Sequence, residues 1–109
     1  MKKYRVLLSE EAEKDLKDIS LYVARYDSPE KAVRLLENLE ETCVKLESYP
    51  DRGHIPKELE RLAMAQYLEI YFKPYRIIYE ISKSEVFVHC IIDGRRDIES
   101  VLRQRMLRI

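Results

Sequence analysis

The chain has 109 residues, 46% hydrophobic and 37% charged, with 20 bases against 20 acids. That is enough for one modest core and no second, so a single domain over 1–109 is expected. Zero net charge excludes indiscriminate polyanion binding but leaves room for a local basic patch. Cys43 and Cys90 are the only cysteines, they form no CxxC pair, and only two histidines accompany them. A zinc site is therefore not expected, nor is any other metal or cofactor, and both thiols read as reduced and buried. No apolar stretch approaches the roughly 20 residues of a membrane helix. The opening MKKYRVLLSEE lacks the long apolar run of a signal peptide, so a cytoplasmic address and no membrane partner are expected.

In chain order, YRVLL (4–8) reads as a short strand. Ser9 offers a helix N-cap with Glu10 and Glu11 in the first turn. Ala12, Leu16, Ile19, Val23 and Tyr26 then repeat at spacings of 4, 3, 4 and 3, one apolar stripe on a helix. Asp27-Ser28-Pro29 breaks the run; Ser28 caps a second helix and Pro29 suits its first position. That helix carries Ala32, Leu35, Leu36, Leu39, Cys43 and Leu46 on one face, a stripe that reads as core.

SYPDRGHIPKELERL (48–62), with two prolines and a glycine, reads as a loop. Three strand-like segments follow: YLEIYFK, YRIIYEIS and EVFVHCIID, joined by Lys73-Pro74 and Lys83-Ser84. Short links of this kind make an antiparallel meander. From Asp97 the spacing of Ile98, Val101, Leu102, Arg105 and Met106 predicts a last helix. The fold class is α+β: a helical hairpin packed on a mostly antiparallel four-stranded sheet in the order β-α-α-β-β-β, with a C-terminal helix. The sheet face away from the hairpin is expected to be open for work.

Charge is unevenly placed along this order. Residues 9–48 are acidic on balance, whereas five arginines crowd into 94–109. Arg76 stands mid-strand among apolar neighbours, and Arg95 and Arg96 follow Gly94 where the last helix begins. An arginine fork suits phosphate oxygens. A plainer reading pairs Arg76 with Glu69 or Glu80 across the sheet, and the arginine pair with Asp93 or Asp97. Cations near a helix N-terminus gain nothing from the helix dipole, which favours anions there.

LSEEAEKDLKDI after the first strand, YPDRGHIPKEL in the loop, PYRIIY in the second meander strand and IIDGRRD before an arginine-rich tail occur in one order and spacing. In these pieces the chain resembles the RelE/ParE family of bacterial type II toxins over essentially its whole length. The resemblance implies the RelE-like fold and a growth-inhibiting toxin neutralised by a cognate antitoxin. It leaves the target open. The RelE branch cuts messenger RNA in the ribosome, without a metal; the ParE branch inhibits DNA gyrase and cuts no RNA. A decayed member that only binds its antitoxin is a third reading.

Cleavage by 2′-hydroxyl attack needs a proton acceptor, a stabiliser of the charged phosphorane and a proton donor for the leaving oxygen. The resemblance makes Arg76 and Arg96 phosphate contacts, with Arg95 assisting, and Arg95, Arg96 and Arg103 candidates for an antitoxin's acidic residues. The two lysines that RelE carries before its tyrosine-arginine strand are absent; Glu69 and Tyr71 occupy that stretch and become the acid/base candidates. The late tyrosine and the terminal His-Tyr pair of ribonuclease members are absent too. Glu58 and His89 are further substitutes in principle, His89 reading rather as a sheet residue and His54 as a loop residue.

Overall fold

The structure, a computed structural model, describes residues 3–62 and 64–106, the Met106 side chain excepted. Strand β1 (Arg5–Leu8) leads into helices α1 (Glu10–Tyr26) and α2 (Pro29–Val44). A one-turn helix α3 (Lys57–Glu60) follows two 3₁₀ turns, then come strands β2 (Tyr67–Phe72), β3 (Tyr75–Ser82) and β4 (Glu85–Asp93), and helix α4 (Ile98–Met106). The sheet order is β1-β4-β3-β2. β2, β3 and β4 are antiparallel neighbours, while β1 runs parallel to β4. This is the α+β arrangement expected from the sequence, except that the 48–62 segment is partly helical.

Both helix starts are set by side chains. Ser9 Oγ accepts the Ala12 amide at 3.0 Å and Ser28 Oγ accepts that of Lys31 at 3.1 Å, each satisfying an otherwise orphaned donor. The stripes they launch pack on one sheet face, where Ala12, Leu16, Leu39, Cys43 and Leu46 meet Ile70, Ile77, Tyr79, Val86 and Val88. Burial of a leucine such as Leu39 or Leu46, both fully enclosed, contributes about 1.5–3 kcal/mol.

The second face differs from the open surface expected. β3 and β4 are apolar on both sides, and a second core of Ile78, Cys90 and Ile92 is covered by Leu59 of α3 and by Ile98 and Leu102 of α4. Strand period explains it: residues alternate between faces, so a run such as HCIID supplies apolar groups to both. Both cysteines are buried free thiols whose pKa burial pushes up to about 12, which leaves them unreactive.

α4 is held at the sheet's open edge. β1 ends opposite Val88, so the Ile91 amide lacks a strand partner; Asp15 Oδ2 on α1 accepts it at 2.9 Å. The same carboxylate takes both terminal nitrogens of Arg105, at 2.7 and 2.8 Å. One buried aspartate thus ties α1, β4 and α4 together. Asp97 caps α4, its carboxylate accepting the Ser100 amide at 3.2 Å and hydroxyl at 2.7 Å.

Candidate functional site: the Arg76 cluster and the arginine turn

Arg76 points to the second sheet face, where register and parity place it beside Glu69 of β2. Its Nε and Nη2 donate to the two Glu69 oxygens at 2.7 Å each. Nη1 and Nη2 donate to the Glu58 carboxylate at 3.0 and 2.8 Å. The Arg76 and Glu58 side chains are each 11% exposed and that of Glu69 is 1%, so the cluster is desolvated and its attraction little screened. The guanidinium holds Glu58 below the ordinary carboxylate range, chiefly through these hydrogen bonds, and the two acids raise the Arg76 pKa further.

The loop before α3 completes the neighbourhood. His54 pairs with Glu69 as an isolated bridge, its amide donating to the Glu69 carbonyl at 3.2 Å and its carbonyl accepting the Glu69 amide at 2.7 Å. A stretch with no strand pattern therefore covers the outer edge of β2. Gly53 makes the approach possible: an added Cβ would lie 2.6 Å from the Glu69 carbonyl oxygen and the Tyr79 hydroxyl. Tyr79 pins the loop, donating to the Pro50 carbonyl at 2.6 Å and accepting the Gly53 amide at 3.1 Å.

His54 Nε2 lies 3.3 Å from the Tyr71 hydroxyl and 3.8 Å from Glu69 Oε2. Partial burial, then the Glu69 carboxylate, raises the Tyr71 pKa and keeps its phenol protonated. These groups line a cavity of about 390 Å³ with Lys57, Lys73, Pro74, Arg76 and Gly94. Three fixed cations, Lys57, Lys73 and Arg76, face it or flank it against two carboxylates, Glu58 and Glu69. Gly94 belongs to this cavity because its backbone abuts the Arg76 stem; a Cβ there would sit 2.8 Å from the Pro74 carbonyl oxygen.

The arginines after Gly94 turn elsewhere. Arg95 closes on Asp93, Nε to Oδ1 at 3.0 Å and Nη2 to Oδ2 at 2.6 Å, and so holds that carboxyl below its usual range. Arg96 is exposed and lines a different cleft, about 650 Å³, between α1 and the ends of β3 and β4, with Tyr22, Tyr75, Asp15 and Arg105. Arg103 is exposed in the last turn of α4. Arg76, Glu69 and Tyr71 are thus brought together, whereas Arg95, Arg96 and Arg103 stand apart from them. His89 pairs with Glu80 at 2.7 Å on the sheet, away from the cavity.

Sequence reasoning passed over His54, Lys57 and Lys73 as cavity residues. They come from a loop, a one-turn helix and a tight turn, which have no periodicity to announce a shared direction. The usable signal was the Gly53-His54 pair: a glycine with no turn of its own to make marks a close backbone approach, and the next side chain lands wherever that approach leads. The group set supplies proton donors and acceptors beside fixed positive charge, the chemistry that phosphoryl transfer requires.

The family model described as ParE toxin of type II toxin-antitoxin system, parDE, matches residues 6–98. No curated protein matches the chain. Among solved structures, the chromosomal ParDE toxin-antitoxin system from P. aeruginosa is similar at TM-score 0.72 and 15% identity, over 84% of this chain and 96% of that one. The toxin-antitoxin complex RelBE2 from Mycobacterium tuberculosis is similar at TM-score 0.62 and 20% identity, over 85% and 93%. A mutant of the E. coli toxin RelE in the free state is similar at TM-score 0.64 and 18% identity, over 98% of each chain. At these identities the solved structures speak for the RelE-like fold, and the family match carries the assignment: the chain belongs to the ParE toxin family of type II toxin-antitoxin systems.

Proposed function

We propose that this toxin halts growth as a ribosome-dependent messenger RNA endonuclease working at the cavity beside Arg76, and that a cognate antitoxin neutralises it. The observation that carries the reading is the convergence of His54, Tyr71, Glu69, Lys57, Lys73 and Arg76 on one cavity. His54 takes the proton of the attacking 2′-hydroxyl as the O2′–P bond forms. Arg76, Lys57 and Lys73 offset the charge of the phosphorane. As the P–O5′ bond breaks, the Tyr71 phenol protonates O5′, leaving a 2′,3′-cyclic phosphate and a free 5′-hydroxyl. The 3.3 Å contact between His54 Nε2 and the Tyr71 hydroxyl then returns the proton from imidazole to phenolate. Glu69 orients Arg76 and Tyr71 and does not itself react.

In a purified translation system the toxin is expected to cut message at A-site codons. Intact message with translation unaffected sinks this reading. A second reading has its own observation. Four hydrogen bonds to carboxylates already occupy Arg76, which suits a ParE-like inhibitor of DNA gyrase with no nuclease chemistry. Loss of supercoiling at micromolar toxin, with message intact, decides for that alternative. Overexpression that is harmless without the partner marks a member that only binds its antitoxin.

The P. aeruginosa and M. tuberculosis relatives were solved as toxin-antitoxin systems, and the same kind of partner is proposed here. Arg95, Arg96 and Arg103 are exposed cations outside the cavity, suited to an antitoxin's acidic segment. Co-purification that survives scrambling of that acidic segment argues against this placement.

A further inference from the structure

The Arg76 cluster differs from an open phosphate site in one respect. A guanidinium has five N–H groups, and four hydrogen bonds here leave one without a partner among the described residues. Glu69 takes the side of the fork formed by Nε and Nη2. Glu58 takes the end formed by Nη1 and Nη2, with one carboxylate oxygen on each nitrogen. That is the bidentate geometry in which an arginine grips two phosphate oxygens. The acid doing this sits on α3, a single helical turn whose N-cap, Pro56, offers no side-chain hydrogen bond. α3 is anchored to the second core by fully buried Leu59, next to Glu58 in sequence.

We infer that Glu58 is an internal stand-in for the substrate phosphate: it closes the end of the Arg76 fork in the free toxin and withdraws when an RNA phosphate takes its place. The inference rests on the nuclease reading of this cavity. Glu69 stays with Arg76 throughout, holding the guanidinium plane in position. Lys57, beside Glu58 on α3, and Lys73, across the cavity, supply the attraction that draws a phosphodiester to the mouth. Withdrawal costs two charge-assisted hydrogen bonds, which the phosphate replaces in kind. The free toxin therefore rests with its phosphate grip shut, and a message held in place at high local concentration opens it.

The test uses the whole chain and a short single-stranded oligonucleotide lacking 2′-hydroxyls, so that binding is read without cleavage. Glu58→Gln is expected to bind the probe about 10-fold or more tighter than the parent, in line with release of a charged hydrogen-bond pair. Glu60→Gln makes the same charge change on the same helix at an exposed position and is expected to stay within about 2-fold, as a screened surface charge does. Glu58→Asp keeps the charge but draws the carboxylate back from the fork, and it too is expected to gain affinity. If Glu58→Gln misfolds, as judged by its thermal midpoint, Glu58→Asp carries the test. Equal affinity of parent, Glu58→Asp and Glu58→Gln overturns the inference, as does a Glu60→Gln gain matching that of Glu58→Gln. A gain in binding while message stays intact on ribosomes upholds the closed grip and removes the nuclease reading. Cleavage without any gain does the reverse.

Discussion

Arg76 and Arg96 carry the same group and arrive at opposite arrangements. Arg76 lies on a central strand whose neighbours are packed from both sides, so its charge is carried into a nearly dry region and must be matched there. Two carboxylates from different parts of the chain do so. Arg96 lies after Gly94 on an exposed turn, where water matches its charge even though Asp15 and Asp93 line the same cleft. Burial, more than the arginine itself, decides whether the charge is committed inside the fold or presented outward. The committed arginine lines the cavity with His54, Tyr71 and Glu69, and the presented one lies on the surface proposed for the antitoxin.

The sharpest way to break that contrast is to remove each arginine in turn. Arg76→Ala leaves two desolvated carboxylates facing each other and is expected to cost about 3–5 kcal/mol, as loss of one member of a buried ion cluster does. Denaturant midpoints read it, and a loss below about 1 kcal/mol would mean the cluster is far wetter than its burial indicates. Next in size is His54→Ala. It removes a half-exposed side chain, so stability should barely move while cleavage in the translation assay falls about 10²-fold or more. Asp15→Ala tests whether the third buried acid, outside that cluster, is equally committed. It strands the Ile91 amide and Arg105 together, for an expected loss of about 2–4 kcal/mol of stability without direct effect on the cavity.

A smaller effect follows from pH. The Glu58 pKa is lowered from 4.5 by Arg76, so its folded form binds protons less readily than its unfolded form. The stabilisation it contributes is fully present above 4.5 and is lost as pH falls through the lower folded value. Glu58→Gln should flatten the acid limb of the stability profile, and an unchanged limb would remove Glu58 from the linkage. Smallest of all, Arg96→Ala is expected to stay within about 0.5 kcal/mol of the parent while weakening antitoxin co-purification.

The elements were largely legible in the sequence because the signals for them are local. Ser9 and Ser28 cap the helices their positions announced, and the 3.6-residue stripe of α2 became core. The β2-β3-β4 meander followed from short links and strand-like runs, whereas the place of β1 beside β4 did not. Two things were hidden for the same physical reason. The cover over Ile78, Cys90 and Ile92 depends on where α3 and α4 come to rest, which no periodicity encodes. Likewise the pairing of Arg76 with Glu69 was readable from strand parity, whereas Glu58, His54 and Lys57 reach the site from a segment whose course is set by Gly53 passing under Tyr79. Glu80, the other acid considered for Arg76, lies on the same strand, β3, and turned instead to His89 on β4.

The parallel seam between β1 and β4 has a consequence in time. Ser9 meets the His89 carbonyl 80 residues along the chain, and Asp15 meets Arg105 across 90. The helical hairpin and the β2-β3-β4 meander can each assemble from near neighbours, but the edge strand, the Asp15 tie and the closing helix wait on loops spanning most of the sequence. Distant pairings of this kind slow folding, and mixed α/β domains fall between the microseconds of helical bundles and the slower all-β folds. The α1-α2 hairpin and the meander are thus expected early, with the seam closing last, and refolding after a denaturant jump should show Asp15→Ala speeding unfolding far more than it slows folding.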